Sequence, residues 1–402
     1  MPDPALHAIA HVFKIQNDPF VGRMGIFRVY QGTVARDSQL FAGDGRRPFK
    51  VGHLYRLQGR EHVEIDRALP GDIAAISRVE DLAFDTVLHD SHDEDHIHMR
   101  PLEFPQPMFG LAVQAKRRGD EQKIAEALQR IASEDPTFLV EQDGSTHETV
   151  IRGLGELHLR AVLDRLAQVY HVEVETRPPR IPYRETITVP AEGHARHKKQ
   201  TGGAGQFGEV FLRVEPLERG AGFEFVDQTK GGVIPGQFMP AIEKGIRQVL
   251  ASGALAGYPM QDIRVVVYDG KHHPVDSKEV AFIAAGRKAF LDALSRARPV
   301  VLEPIAQVEI SCPDSVMGDI TGDLAGRRGQ VTGTETSGTG MCTIRGLVPL
   351  SELNGYANRL KAVTAGQGAW SMQLSHYESV PSNLQAQLVA EYRASRGQDV
   401  EE

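Results

Sequence analysis

Several groups of residues in this sequence carry side chains that could do chemistry. In HARHKKQTGGAGQFG, Arg196, Lys198 and Lys199 stand just ahead of Gly202, Gly203 and Gly205. Cationic side chains meet phosphate, and glycines let a backbone approach a ligand closely. GAGQFG (203–208) also matches G-x-G-x-x-G. A dinucleotide site, however, needs a buried strand before that motif and a helix opening after it. Here the preceding HARHKKQT is polar and basic, and the following EVFLRV alternates like a strand. A phosphate-contacting loop and a solvated hairpin both remain open, because glycine suits any tight turn.

The stretch DGKHHPVDS (269–277) lies between a strand and a helix, so Lys271, His272 and His273 would project at the turn. Asp276 could cap that helix, with Glu279 three residues later completing a capping box. On the plain reading Asp276 is only a cap and the histidines are solvated. His89, Asp90, His92, Asp93, Asp95, His96 and His98 offer the ligand types that suit a divalent metal. No scaffold visible in the sequence fixes their geometry, and no metal site is assigned to them. Cys312 and Cys342 fall on strands expected to be neighbours and read as two buried thiols.

Other chemistry is missing from the sequence. There is no G-x-x-x-x-G-K-[ST] loop for a triphosphate, no G-x-S-x-G elbow and no H-E-x-x-H pair. No catalytic residue and no cofactor of this chain is therefore assigned. Hydrophobic residues make up 41% and charged residues 24% of the 402, ordinary values for a soluble globular protein. No apolar run approaches the roughly 20 residues that cross a bilayer, and the N-terminus lacks the pattern of a secretory signal. Two cysteines exclude a disulfide framework and fit a reducing, cytoplasmic location. A net charge of −8 argues against an overall nucleic-acid-binding coat but leaves local basic patches open.

The elements that must position these residues form a multidomain α+β chain. Residues 1–90 alternate in short runs broken by Asn17-Asp18-Pro19, Gly43-Asp44-Gly45 and Leu69-Pro70-Gly71-Asp72, as a small β-barrel would. A charged linker follows. Residues 104–178 read β-α-β-β-α-β, with Ile124, Leu128 and Ile131 on one helix and Leu159, Leu163, Leu166 and Tyr170 on the other. That is the ferredoxin-like order. The same order returns at 304–380, with Val316, Ile320 and Leu324, then Leu350, Leu353, Ala357 and Leu360, at helical spacing. Both βαββαβ units lack the third-strand aromatics of an RNA-recognition module. Between them, 179–303 forms another α/β unit, and 381–402 reads as a polar tail whose end frays.

Taken together, these segments resemble bacterial translation elongation factor G or its elongation-factor-G-like paralogues. VFKIQNDPFVGRMGIFRVYQGTV and ALPGDIAAI are similar to its second domain, and GELHL within ASEDPTFLVEQDGSTHETVIRGLGELHLRAVLDRL to its third. HKKQTGGAGQFGEV, FVDQTKGGVIPGQFMPAIEKGI and VDSKEVAFIAAGRKAF resemble the fourth, and DSVMGDITGDLAGRRGQVTG the fifth. The resemblance runs from about residue 8 to 385. It implies domains II to V: a β-barrel, a ferredoxin-like domain, an elongated arm of the ribosomal-protein-S5-domain-2-like type, and a second ferredoxin-like domain.

The resemblance also implies that the arm tip enters the decoding region of the small ribosomal subunit and supports movement of tRNA and mRNA. The matching tip residues are Lys198, Lys199, Gln200, Gly202, Gly203, Gly205, Gln206, Lys271, His272, His273 and Asp276. Pro274 departs from the acidic residue expected beside the tip histidine, and would stiffen that loop. GTP and magnesium would belong to a GTPase domain that in the family precedes residue 1; such a domain would be either removed or naturally absent. The implied partner is the ribosome, with no membrane, and the chain is expected to be a monomer. The alternative is a GTP-independent or ribosomal-protection-type binder that occupies the factor site.

Overall fold

The computed structural model describes residues 3–18, 20–59, 61–79, 82–102, 104–144, 146–200, 205–338 and 340–398. They fall into two compact units, residues 1–179 and 180–402.

The first unit opens with ten strands: β1 (Ile9–Asp18), β2 (Gly22–Gln31), β3 (Val34–Ala35), β4 (Gln39–Ala42), β5 (Phe49–Lys50), β6 (Leu54–Gln58), β7 (Glu61–Glu64), β8 (Arg67–Ala68), β9 (Ile73–Ser77) and β10 (Val87–His89). Eight form one antiparallel sheet in the order β5-β4-β10-β1-β2-β9-β6-β7, and β3 pairs with β8 in a separate ribbon. Val12, Phe27, Val29, Leu54 and Leu88 fill the inner face. The expected barrel is thus a curved half-barrel sheet with the ribbon beside it. After it come β11 (Phe109–Ala115), α1 (Glu121–Glu134), β12 (Leu139–Asp143), β13 (Glu148–Gly153), α2 (Glu156–Gln168) and β14 (Val174–Arg177). The sheet order β12-β13-β11-β14 is the ferredoxin-like one. Ile124, Ala127, Leu128 and Ile131 recur at helical spacing and bury one stripe of α1. Leu159, Val162 and Leu166 do the same for α2, while Tyr170 lies just past its end. Asn17 ties the two parts of this unit together: its main-chain and side-chain nitrogens donate to Glu134 Oε1 at 2.6 and 2.9 Å.

The second unit starts with β15 (Arg184–Ile187), β16 (Ala191–Lys199), β17 (Gln206–Pro216), β18 (Phe223–Asp227), α3 (Met239–Ser252), β19 (Ile263–Lys271) and α4 (Glu279–Arg296). The strands β16-β17-β19-β18 make a four-stranded sheet, antiparallel except for β18 against β19. Both helices cover one of its faces, with Ile242, Ile246, Phe282 and Phe290 against Val210, Leu212, Val265 and Val267. Next come β20 (Pro299–Pro313), α5 (Met317–Gly326), β21 (Gln330–Thr336), β22 (Met341–Pro349), α6 (Tyr356–Val363) and β23 (Ala369–Ser379). The order β21-β22-β20, with β23 on the other side of β20, repeats the ferredoxin-like topology. β20 also pairs with β15 through residues 299–302, so one strand serves both halves of the unit. The helix expected over Leu350–Leu360 is broken: a 3-10 turn covers Leu350–Leu353, and Gly355 takes φ 71° before α6 begins. Glycine carries no Cβ to forbid that left-handed conformation.

The polar tail expected after 380 is instead helical. Helix α7 (Ser382–Gln398) seats Leu384, Leu388, Val389 and Tyr392 against Tyr183, Leu255, Tyr258 and Val301. Gln385 Oε1 accepts from the Val301 N–H at 3.0 Å. Among the described residues, no helix is long and apolar enough to cross a membrane.

Candidate nucleic-acid interface

The β16–β17 hairpin and the β19–α4 loop meet at one end of the four-stranded sheet. Lys199 faces Gln206 across the hairpin, and Lys271 faces Glu209 from β19. The Phe207 N–H donates to Asp276 O at 2.9 Å. Ser277 Oγ accepts from the His273 N–H at 2.8 Å and donates to Phe207 O at 2.9 Å. A Cβ on Gly205 would stand 2.4 Å from Asp276 Oδ1, so only glycine fits there without a shift. Two segments about 70 residues apart thereby form one surface.

The Val275 and Asp276 N–H groups both point at His273 Nδ1, at 3.3 and 3.2 Å. An acceptor role at Nδ1 puts the ring proton on Nε2, and the imidazole is half exposed. Gln206 Oε1 meets His197 Nε2 at 3.0 Å, and its amide N–H₂ makes no hydrogen bond among the described residues. Lys198, Lys199, Gln200 and Lys271 are exposed. Gly202 and Gly203 lie outside the described residues. His272 turns aside, its Nδ1 3.1 Å from Val233 O.

That contact brings in a third loop, residues 228–234, which is not among the tip residues implied by the sequence. It follows β18, carries exposed Lys230, and holds Gly231 and Gly232 at φ 66° and 69°. A cation followed by two glycines directly after a strand was the available signal.

Several sequence expectations change. Asp276 does not cap α4. The helix starts at Glu279 with Lys278 at the N-cap, and no side chain caps it. The turn through Pro274 keeps Asp276 inside the loop, facing Gly205 and His273, so the capping box cannot form. The described part of the G-x-G-x-x-G match, residues 205–208, leads into the antiparallel strand β17 and not into a helix, which removes the helix N-terminus a dinucleotide would need.

The histidine linker has more structure than its composition suggested. His89 is buried at the end of β10, its nitrogens 2.7 and 2.9 Å from the Ser91 and Gly43 carbonyls. His92 packs on Phe41 and pairs with Asp95 at 3.1 Å. Among the described residues no three His, Cys, Asp or Glu side chains converge as metal ligands. Cys312 and Cys342 are direct cross-strand partners, buried, with Sγ atoms 3.5 Å apart and no disulfide.

The charges are unevenly satisfied along this sheet. Far from the loops, Arg213 and Arg264 both pair with Glu215, at 2.6 and 3.4 Å, and Arg264 also holds Glu224 at 2.6 Å. Arg213 above all keeps the Glu215 carboxyl below its usual range. Near the loops, Arg196, Lys198, Lys199, Lys230 and Lys271 make no ion pair among the described residues. Unpaired cations beside glycines and hydrogen-bond donors suit a phosphate-rich, hydroxyl-bearing ligand such as RNA.

Comparison with known proteins bears on the whole chain. Four family descriptions match in unbroken order: Elongation factor G domain 2 over residues 7–90, domain III over 104–178, domain IV over 179–298, and Elongation factor G C-terminus over 300–388. A Thermotoga maritima protein named elongation factor G-like protein is 40% identical over 384 residues, which cover 96% of this chain and 56% of that protein. A crystal structure of a Thermus thermophilus protein has a TM-score of 0.83 and 37% identity, covering 97% of this chain and 58% of that one. The chain therefore spans a little over half the length of these relatives. With four consecutive domains matched and the fold shared, the chain belongs to the elongation factor G family.

Proposed function

We propose that this chain is the ribosome-engaging part of an elongation factor G-type protein that promotes tRNA–mRNA translocation. The observation that carries the reading is the loop surface at one end of the β16–β19 sheet, which gathers unpaired cations and hydrogen-bond donors. In this reading Lys198, Lys199 and Lys271 neutralise RNA phosphates, and Gly205, with Gly202 and Gly203, lets the backbone approach. Gln206 and His273 supply hydrogen bonds near the codon–anticodon helix. Asp276 holds the two loops together. GTP and magnesium act in a GTPase domain outside these residues, and this chain converts that domain's state into contact with RNA.

The test replaces Lys198 and Lys199 with alanine in the intact factor. Translocation is expected to slow much more than ribosome-stimulated GTP hydrolysis. If hydrolysis falls just as far while translocation per GTP is unchanged, the role given to these lysines is wrong. If ribosome occupancy is normal and no translocation depends on the factor, it is a binder of the protection type.

A further inference from the structure

The helices α3 and α4 cover only one face of the β16-β17-β19-β18 sheet. Val210, Leu212 and Val214 point toward them, so the alternate residues of β17 point away. On the uncovered face, beside the loops, lies a set of rings and cations. Arg196 lies over the Phe207 ring, 5.2 Å from its centroid. His194 stacks on Phe211 with centroids 4.0 Å apart and planes 18° apart. Glu209, itself nearly buried, fixes that imidazole by a 2.9 Å contact to Nε2. The His194 side chain remains 45% exposed. Lys198 and Lys271 flank the rings from the two neighbouring strands, each opposite a β17 residue of this face.

We propose that this loop-side half of the open sheet face is a stacking track for single-stranded RNA. The proposal deepens the reading of the adjoining loops as RNA contacts and rests on it. One stacked pair, His194 on Phe211, and the Phe207 ring under Arg196, with cations on both flanks, present what an unpaired nucleotide needs: a π-face for the base and positive charge for its phosphate. Double-stranded RNA keeps its bases stacked inside and cannot use the rings. The other half of the face cannot serve, because Arg213 and Arg264 are already spent on Glu215 and Glu224. Bases would stack on His194 and between Arg196 and its neighbours, with the strand running on into the loops.

The experiment measures fluorescence anisotropy of a labelled ten-nucleotide oligouridylate, and of the same strand in a duplex, with the full chain over a range of salt. The single strand is expected to bind more tightly than the duplex. Phe207→Leu and His194→Ala, checked by thermal melting for an intact fold, should each weaken single-strand binding about ten-fold without changing its salt slope. Lys198→Ala with Lys271→Ala should instead flatten the slope. Equal binding of strand and duplex, or no effect of the two ring variants, overturns the proposal. Should His194→Ala soften the sheet, Phe211→Leu, which removes the ring beneath His194 and changes no charge, must still weaken binding measurably. Competition by polyglutamate as strong as by RNA would assign the face to an acidic protein segment and overturn the proposal too. Retention on ribosomes is measured in parallel. If the ring variants change nothing while Lys198→Ala lowers retention, the sheet-face inference fails and the loop reading stands. If Lys198→Ala leaves retention unchanged, the loop reading itself fails.

Discussion

Replacing Glu185 with glutamine should damage the second unit far more than its near-identical shape suggests. Glu185 is fully buried, and its carboxylate accepts four main-chain N–H groups. Ala254 and Leu255 donate to Oε2 at 2.7 and 2.8 Å, and Ala256 and Tyr258 to Oε1 at 2.7 and 3.0 Å. The loop after α3 is thus wrapped around a single anion. Glutamine has one acceptor oxygen, so in either orientation its amide N–H₂ faces two N–H donors. Two main-chain donors lose their acceptor, and each such loss costs about 1–3 kcal/mol. Relaxation of the loop recovers part of that, which leaves about 3 kcal/mol, or roughly a 150-fold change in the opening equilibrium.

The same loop carries Ala256 and Tyr258, against which α7 packs, so the seat of α7 should loosen with it. Hydrogen exchange read by mass spectrometry over residues 253–258 and 382–394 is the assay. Exchange in both segments should accelerate by two orders of magnitude, with exchange in the first unit unchanged. Exchange within three-fold of the parent protein across 253–258 would refute the claim that the carboxylate anchors this loop.

Other expected outcomes follow from single contacts. The Tyr356 hydroxyl is buried without a hydrogen-bond partner among the described residues, and burial pushes its pKa well up. Tyr356→Phe should therefore leave stability unchanged or raise it by up to about 1 kcal/mol, read from urea unfolding by the sole tryptophan, Trp370, whose ring lies 5.0 Å away. Burial first, then the Cys342 thiol, pushes Cys312 from 9.0 to about 12. Above pH 9 the unfolded chain ionises this thiol and the folded chain does not. Its contribution to stability should fall as pH rises from about 9 toward 12, and native protein at pH 8 should not react with a thiol reagent until unfolded. Gly205→Ala would press a methyl group onto Asp276 and separate the two loops, a local cost of about 1–3 kcal/mol. The Phe207 amide should lose its exchange protection while the sheet core keeps its own.

What the sequence made legible, and what it did not, divides by how local the cause is. The order of strands and helices in both ferredoxin-like units came from periodicity, because Ile124, Leu128 and Ile131 bury the stripe they define. The break at Asn354-Gly355 was equally local, yet the hydrophobic spacing on either side concealed it. Helix α7 was missed because its sequence is polar all round but for a few residues, whose partners Val301 and Tyr258 lie far back in the chain. Asp276 was read as a cap from spacing alone. Its real neighbour, Gly205, lies just before β17, 71 residues earlier. The rings of Phe207 and Phe211 looked like ordinary alternation within a strand. Only the placement of both helices on one face shows that they point away from the core.

The central claim is that the loops joining β16 to β17 and β19 to α4 touch RNA on the small ribosomal subunit. Both native cysteines are buried, so a Lys271→Cys variant can be tethered at one place to an iron chelate that releases hydroxyl radicals. With ribosomes carrying tRNA and mRNA, cleavage is expected to cluster in small-subunit RNA around the codon–anticodon helix and to fade as salt rises. Cleavage confined to large-subunit RNA, or none above that of an iron chelate left free in solution, would contradict the account.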